Sequence, residues 1–566
     1  MLYGVWTPFA SKKPKNSAAA VCSRMRRNLN EPLPFSTMVW LDNIIGEIKE
    51  RFQKEIQAGI PLTIRDEKTL SGRVHVGSLR GIVIHGLIAQ GLQEQGIPHR
   101  FLFELNDFDP CDELPPFLDR NTFGKYMGQP LFTVPTHEQG AENLPMVFGE
   151  ELKKVVSNLG LPIEYYTLKP LYEAGKFNDV IRRALDHAKD IRVIYKDVSG
   201  SNKPDDWYPL QVICERCGKV GTTQVTGWDG TLVQYTCKEN LVTWAKGCGY
   251  LGTISPFDGR AKLPWKVEWP AKWNVMGVHI EGAGKDHSAA GGSRDIGKRI
   301  AEEIFQYPNP FDIPYEFLNV GGKKMSASKG IGATAKGIAD LMPPYLLKLL
   351  MIRKQPNQPF DFDPEGTTLP LLFDEYDRLS EYVAHPKEGQ EDFVRIFHLA
   401  QIGFPEKGNP LWQMRFTILS FVVQMPHLKL EEEAEKLKGA PLTEEELYAL
   451  NERAAYVRKW LSEHAPEQYH YRILEILPVL ELSTEQSAAL VLLRERLEKL
   501  PSWKGEDIHA TIHAVKAELG IEPKALFAPL YQLFIGRDNG PQMGWFVSTF
   551  ERAEVLKRID SATIPS

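Results

Sequence analysis

Cysteine is scarce in this chain: six residues in 566, too few for a disulfide framework, so a reducing compartment such as the cytoplasm is expected. Long apolar runs are missing as well. The best stretch, 81–92, is interrupted by His85 and Gln90 and falls short of the ~18 residues a membrane-spanning helix requires, so no membrane partner is expected. Charge of one sign is not in excess: 67 Lys and Arg stand against 73 Asp and Glu, for a net −6. That excludes a general polyanion binder. DNA is not expected as a partner, and any nucleic-acid contact has to come from a local patch. Acids are absent from the first thirty residues, which hold Lys12, Lys13, Lys15, Arg24, Arg26 and Arg27. The apolar stretch among them is too short for a secretory signal, and residues 1–37 read as a disordered extension. What remains is ordinary: 43% hydrophobic and 25% charged residues describe a folded globular chain of roughly three or four domains at about 150 residues each.

Periodicity gives the organisation. Apolar residues at helical spacing over 39–57 precede a short buried strand at 61–65, a turn rich in small residues, a helix over 79–95 and a second strand at 101–105. Strand, Gly-containing turn, helix, strand is the entry to a parallel α/β sheet. Clustered Asp, Pro, Gly and Asn make 107–150 an irregular insertion. Helical spacing returns over 150–159 and 178–193, and 203–260 reads as a small inserted module of short strands. A strand over 275–281 and a helix over 295–305 complete the α/β region. Beyond about 370 the pattern is helical, with Thr443 before Glu444, Glu445 and Glu446 as a helix cap.

Three segments carry chemistry. The turn His75-Val76-Gly77-Ser78 lies between a strand and a helix, where backbone N–H groups favour phosphate; an imidazole donates to phosphate, and a residue without Cβ lets a nucleotide approach the backbone. Some 250 residues later comes Lys324-Met325-Ser326-Ala327-Ser328-Lys329, whose cations and hydroxyls suit a triphosphate and the charge on departing pyrophosphate. Between them Gly284-Lys285-Asp286-His287, followed by Gly291-Gly292-Ser293, connects a strand to a helix. Apart from these, Cys214-x2-Cys217 and Cys237-x10-Cys248 offer four thiolates in a glycine-rich module too small for a core of its own, a pattern that points to structural Zn²⁺ in tetrahedral coordination.

The paired His75/Lys324 segments resemble the HIGH and KMSKS signatures of class I aminoacyl-tRNA synthetases. Ser71-Gly72-Arg73-Val74-His75-Val76-Gly77, the Gly284-Lys285-Asp286-His287 segment, Pro264 through Pro270, Asp374 through Leu379, and Gly536-Arg537-Asp538-Asn539-Gly540-Pro541 with Gly544-Trp545-Phe546 narrow the resemblance to the class I lysyl-tRNA synthetases, over about 38–560. The resemblance implies a Rossmann-type catalytic domain over 38–310 with its insertions at 107–150 and 203–260. A loop-bearing connection over 311–370 and an all-helical anticodon-binding domain over 371–566 would follow. It implies a ligase that makes lysyl-adenylate from L-lysine and ATP with Mg²⁺, then esterifies tRNA(Lys). By motif, His75, Gly77, Lys324, Ser326 and Lys329 would be catalytic. ATP would be held by Ser71, Gly72, His75, Gly77, Ser78, Gly284, Asp286, Lys324, Met325, Ser326 and Ser328. Lysine would meet Thr69, Trp269, Glu281, Asp286 and His287. Ser78 replaces the second His of the first signature and Ala327 the second Lys of the other. Leu70 stands where the family usually has Pro, and Glu67 where it tends to have Gly. The family's further zinc site in the insertion has only Cys111, His137 and scattered acids to draw on here and is expected to be lost or degraded. A glutamyl-type synthetase and a non-catalytic tRNA-binding relative are the alternatives. For RNA, Arg453, Arg458, Trp460, Arg537 and Trp545 are the basic and aromatic candidates.

Overall fold

The computed structural model describes residues 39–138, 140–322, 333–401 and 411–563. The extension expected at 1–37 therefore lies outside the described residues, as does the whole Lys324–Lys329 signature. No described helix is long and apolar enough to cross a membrane.

Helix α1 (Trp40–Arg51) leads into strand β1 (Leu62–Thr69), helix α2 (Ser78–Glu94) and strand β2 (His99–Asn106). β1 and β2 pair in parallel from Leu62 opposite His99 to Thr69 opposite Asn106, and β2 pairs in parallel with β3 (Glu164–Thr167). On the other side of β1, parallel bridges join Ile64 to Ile280 and Ile280 to Phe311. The spatial order is thus β3, β2, β1, the Ile280 segment and the Phe311 segment, with its reversal between β1 and the Ile280 segment, the place where doubly wound sheets leave a ligand crevice. Strand β1 runs four residues past Arg65, where the strand expected from the sequence ends. Arg65, Asp66 and Glu67 broke the apolar pattern, yet Arg65 and Asp66 are buried because partners on neighbouring elements satisfy their charge. α2 is apolar nearly all round and is buried as a core helix.

Other boundaries moved for local reasons. Helix α3 (Leu144–Ser157) starts inside the expected irregular insertion, where Asn143 accepts the Met146 N–H and Pro145 fits the first turn. The helical stretch over 178–193 divides at His187 into α4 (Asn178–Asp186) and α5 (Ala188–Ser199). Strands β4 (Thr223–Trp228), β5 (Val233–Cys237) and β6 (Leu251–Ile254) form an antiparallel sheet in the inserted module. The strand expected over 275–281 is reduced to the bridge at Ile280, because α6 (Trp265–Met276) continues to Met276 and ends on Gly277 in the left-handed region. Helix α7 (Ser293–Glu303) follows.

From α8 (Thr368–Ala384) onward the described chain is helical. Thr443 caps α9 (Glu444–Glu463) in a reciprocal box with Glu446. The apolar core of the α/β region runs on through Leu369, Leu399, Leu419 and Trp460. A second core, built on α10 (Thr484–Glu498), α11 (Gly505–Leu519) and α12 (Pro523–Ile535), joins Leu490, Leu493, Ile508, Ile512, Phe534 and Phe546.

Candidate active site

A cavity of about 800 Å³ opens at the carboxyl end of β1, at the sheet reversal. One side is made by Thr69, Ser71, His75, Gly77 and Ser78; the other by Trp269, Glu281, Gly284, Asp286 and His287. Two segments some 200 residues apart in sequence therefore face one space. Gly72 is buried within the turn and does not line it. Lys324, Met325, Ser326, Ser328 and Lys329 lie outside the described residues, but the chain just after them is fixed against the turn: Val76 N–H donates to Ala333 O (3.1 Å) and Ala335 N–H to Val74 O (2.8 Å). Burial, with Lys68 nearby, pushes His75 down to about 4, so its imidazole is neutral near pH 7. Its Nδ1 is buried and has no partner among the described residues.

Beneath the cavity lies a layer of buried charge. Arg65 donates to Glu281 (2.7 Å), Glu104 (2.6 Å), Glu67 (2.5 Å) and the Tyr166 hydroxyl (2.8 Å). Lys272 reaches Glu104 (2.6 Å), Glu67 (2.8 Å) and Glu268 (3.2 Å), while Lys262 reaches Asp109 (2.5 Å) and Glu268 (3.3 Å). Five carboxylates are joined to three cations. Burial would raise Glu67, but Lys272 and Arg65 hold it well below the carboxylate range; burial prevails at Glu104 and Glu281, which are pushed up. Glu67 and Asp109 line the cavity with Asp66, Asp112, Asp286 and Glu316, against Lys68 and Lys262. This is an acidic chamber, suited to a cationic ligand.

Its aromatic wall comes from α6. Trp265 stacks on Trp269 (centroids 5.5 Å apart), and His287 lies 5.0 Å from Trp265. Glu281 lines the chamber with its oxygens committed: Oε1 accepts from Arg65 and from Trp269 Nε1 (2.9 Å), and Oε2 from Trp273 Nε1 (2.6 Å). It fixes the two indoles. Sequence reasoning passed over Arg65, Glu104, Asp109, Lys262, Glu268 and Lys272. One signal was present: Trp265, Trp269 and Trp273, with Glu268 and Lys272, recur at helical spacing, which marks a single buried face.

The family described as "tRNA synthetases class I (K)" matches residues 38–403, and "Anticodon binding domain" matches 421–563. The lysine–tRNA ligase of Thermoplasma volcanium is 32% identical over 530 residues, covering 93% of this chain and 99% of the relative. Lysine–tRNA ligase 1 of Methanosarcina acetivorans is 31% identical, over 93% and 98%. Among solved structures, a glutamate tRNA ligase from Elizabethkingia meningosepticum superposes with a TM-score of 0.37 at 13% identity, covering 89% of this chain and 99% of that one. The chain belongs to the class I lysyl-tRNA synthetases.

This synthetase also carries a cluster of thiols. Cys214, Cys217, Cys237 and Cys248 place all four Sγ atoms within 4.8 Å of one another, with Cys214–Cys248 and Cys217–Cys237 at 3.7 Å. A tetrahedron with metal–sulfur bonds of ~2.3 Å has edges of ~3.8 Å, so the donor set fits. The Cys248 N–H points at Cys237 Sγ (3.4 Å), an outer contact typical of metal thiolates. Burial pushes the Cys214 and Cys217 thiols up; a bound cation is what would bring all four to thiolate.

In the helical region of the synthetase, two of the candidate RNA contacts are core residues. Arg453 is buried, bonded to Asp377 (2.6 and 2.9 Å) and to Met414 O, and Trp460 is buried with its Nε1–H on Pro364 O. Both sit on the inward face of α9, which the sequence periodicity did not distinguish from its outward one. Trp545 packs on Phe421, and Arg537 donates to Glu467. Arg458 is exposed.

Proposed function

We propose that this synthetase activates L-lysine with ATP and transfers the lysyl group to tRNA(Lys). A lysine carboxylate oxygen attacks the α-phosphorus, the bond to the bridging oxygen breaks and pyrophosphate leaves. A hydroxyl of the terminal tRNA adenosine then attacks the lysyl carbonyl, and AMP departs. No protein nucleophile takes part, so the acceleration comes from positioning and from groups set against developing charge. Ser71, Gly77, Ser78, Gly284 and Asp286 face ATP; neutral His75 donates to phosphate. Lys324, Met325, Ser326, Ser328 and Lys329 contribute the cations and hydroxyls that hold the phosphates, with Mg²⁺ as the nucleotide's escort. Thr69, Trp269 and His287 bound the lysine, with Glu67 and Asp109 added to the sequence-derived set and Glu281 holding Trp269 in place. The helical region recognises the anticodon. The Cys214–Cys217–Cys237–Cys248 set holds a structural Zn²⁺.

The observation that carries this reading is a single acidic, tryptophan-walled cavity shared by the His75-x-Gly77 turn and the Gly284–His287 loop, of a volume that suits an aminoacyl-adenylate-sized ligand. Lysine-dependent ATP–pyrophosphate exchange tests it. Exchange stimulated by lysine and not by glutamate is expected; stimulation by glutamate alone, or tRNA binding with no exchange at saturating lysine and ATP, would overturn it.

A further inference from the structure

Two turns into α2, beyond the His75-x-Gly77 turn, His85 is fully buried. Its Nε2 accepts the Gly282 N–H at 2.8 Å, and its Nδ1 lies 2.7 Å from Gly81 O and 3.3 Å from Asp66 Oδ2. An amide aimed at Nε2 leaves no proton there, so Nδ1 carries it and gives it to Gly81 O beside Asp66. The ring stacks on Phe101 and meets Tyr315 edge-on. The node has no slack. A Cβ on Gly81 would press on the Tyr315 hydroxyl and on Asp66, and one on Gly282 would run into Ile313 O.

Asp66, Gly282 and Tyr315 all line the cavity. His85 itself does not. It joins the helix that begins at the ATP-facing turn to the start of the loop bearing Gly284, Asp286 and His287, across the sheet reversal. We propose that His85 is a positioning residue for the activation step: its Nε2–Gly282 bond sets the distance between the His75-x-Gly77 turn and the Gly284–His287 loop. Such a role rests on the activation reading above, since a misplacement of about 1 Å between two binding segments costs on the order of 100-fold in rate.

Two variants separate the two ring nitrogens. In His85→Gln the side-chain oxygen reaches the Nε2 position and can still accept the Gly282 N–H; in His85→Asn the amide reaches only the Nδ1 position. With both proteins at comparable melting temperatures, His85→Asn is expected to lose about tenfold or more in kcat/KM for ATP in lysine-dependent exchange, and His85→Gln to stay within about threefold of the parent. KM for tRNA should not move in either. Equal activities in the two variants, with only stability changed, would overturn the proposal. So would fast hydrogen exchange at the Gly282 amide of the unmodified protein, a measurement that holds even if neither variant folds. Absence of lysine-dependent exchange in the unmodified protein would instead count against the activation reading itself.

Discussion

Beneath the cleft, Arg65, Lys272, Glu104 and Glu268 are buried together; at the same depth in the C-terminal core stand Leu490, Leu493, Ile508, Ile512, Phe534 and Phe546. The helical region buries what the hydrophobic effect favours, at about 25 cal/mol per Å² of apolar surface, and tolerates changes of shape. The layer under the cleft gains little net stability from its ion pairs, because desolvation offsets most of the attraction. Its return is geometric. Glu281 fixes two indoles, Glu67 and Asp109 are held ionised at the cavity wall, and every member depends on the others. A core that only has to be filled is apolar; a floor that has to present charge at fixed points is charged.

Four changes would break or sharpen that contrast. The largest effect is expected at the inserted module, where the four thiols tie down strands whose Val225, Val233 and Tyr235 are also buried in an apolar cluster. Cys237→Ser should abolish metal binding, measured as zinc per chain, and unfold β4, β5 and β6, seen as fast hydrogen exchange confined to that module. Structural zinc is worth about 10–16 kcal/mol in isolated fingers; zinc-free parent protein of unchanged stability would remove the zinc proposal. Next, Lys272→Ala leaves Glu104 with Arg65 alone and Glu268 with Lys262 alone, one buried charge short, and should cost about 3–5 kcal/mol in urea unfolding, with exchange activity lost. A well-folded, active variant would show that the charged floor is dispensable.

Leu493→Ala is the counterpart in the helical core. It should cost about 2–5 kcal/mol yet leave lysine-dependent exchange nearly intact below its melting point, while aminoacylation of tRNA falls. The smallest effect concerns His75. Its folded value near 4 lies below the ordinary histidine value of about 6.5, so the unfolded chain takes up a proton first as pH falls. Stability from this group is complete above pH 6.5 and drains between 6.5 and 4. Between pH 7 and pH 5 the parent should lose about 1 to 2 kcal/mol more than His75→Asn, read from urea midpoints at both pH values.

Much of the frame was legible from residue order. The strand–turn–helix–strand entry, the helical C-terminal region, the Thr443 cap and the thiol spacing follow from periodicity and from residue chemistry that acts within a few positions. Boundaries slipped where a local rule met a longer-range one. β1 runs past Arg65 because Glu104, Lys272 and Glu281 satisfy its charges, and α3 starts early because Asn143 caps it.

Residue order by itself determined which groups were candidates to meet a nucleotide: His75 and Gly77 sit between a strand and a helix, where backbone N–H groups favour phosphate, and the resemblance adds Ser78, Gly284 and Asp286. Only the tertiary structure decided which charges are buried, what Arg65, Lys262 and Lys272 hold, that Glu281 serves the tryptophans, that Arg453 and Trp460 face inward, and that His85 binds Gly282 across 197 positions. The reason is physical. A charge in a central strand reads as a mistake until its partners, scores of residues away, are brought within 3 Å, and no local pattern encodes that distance.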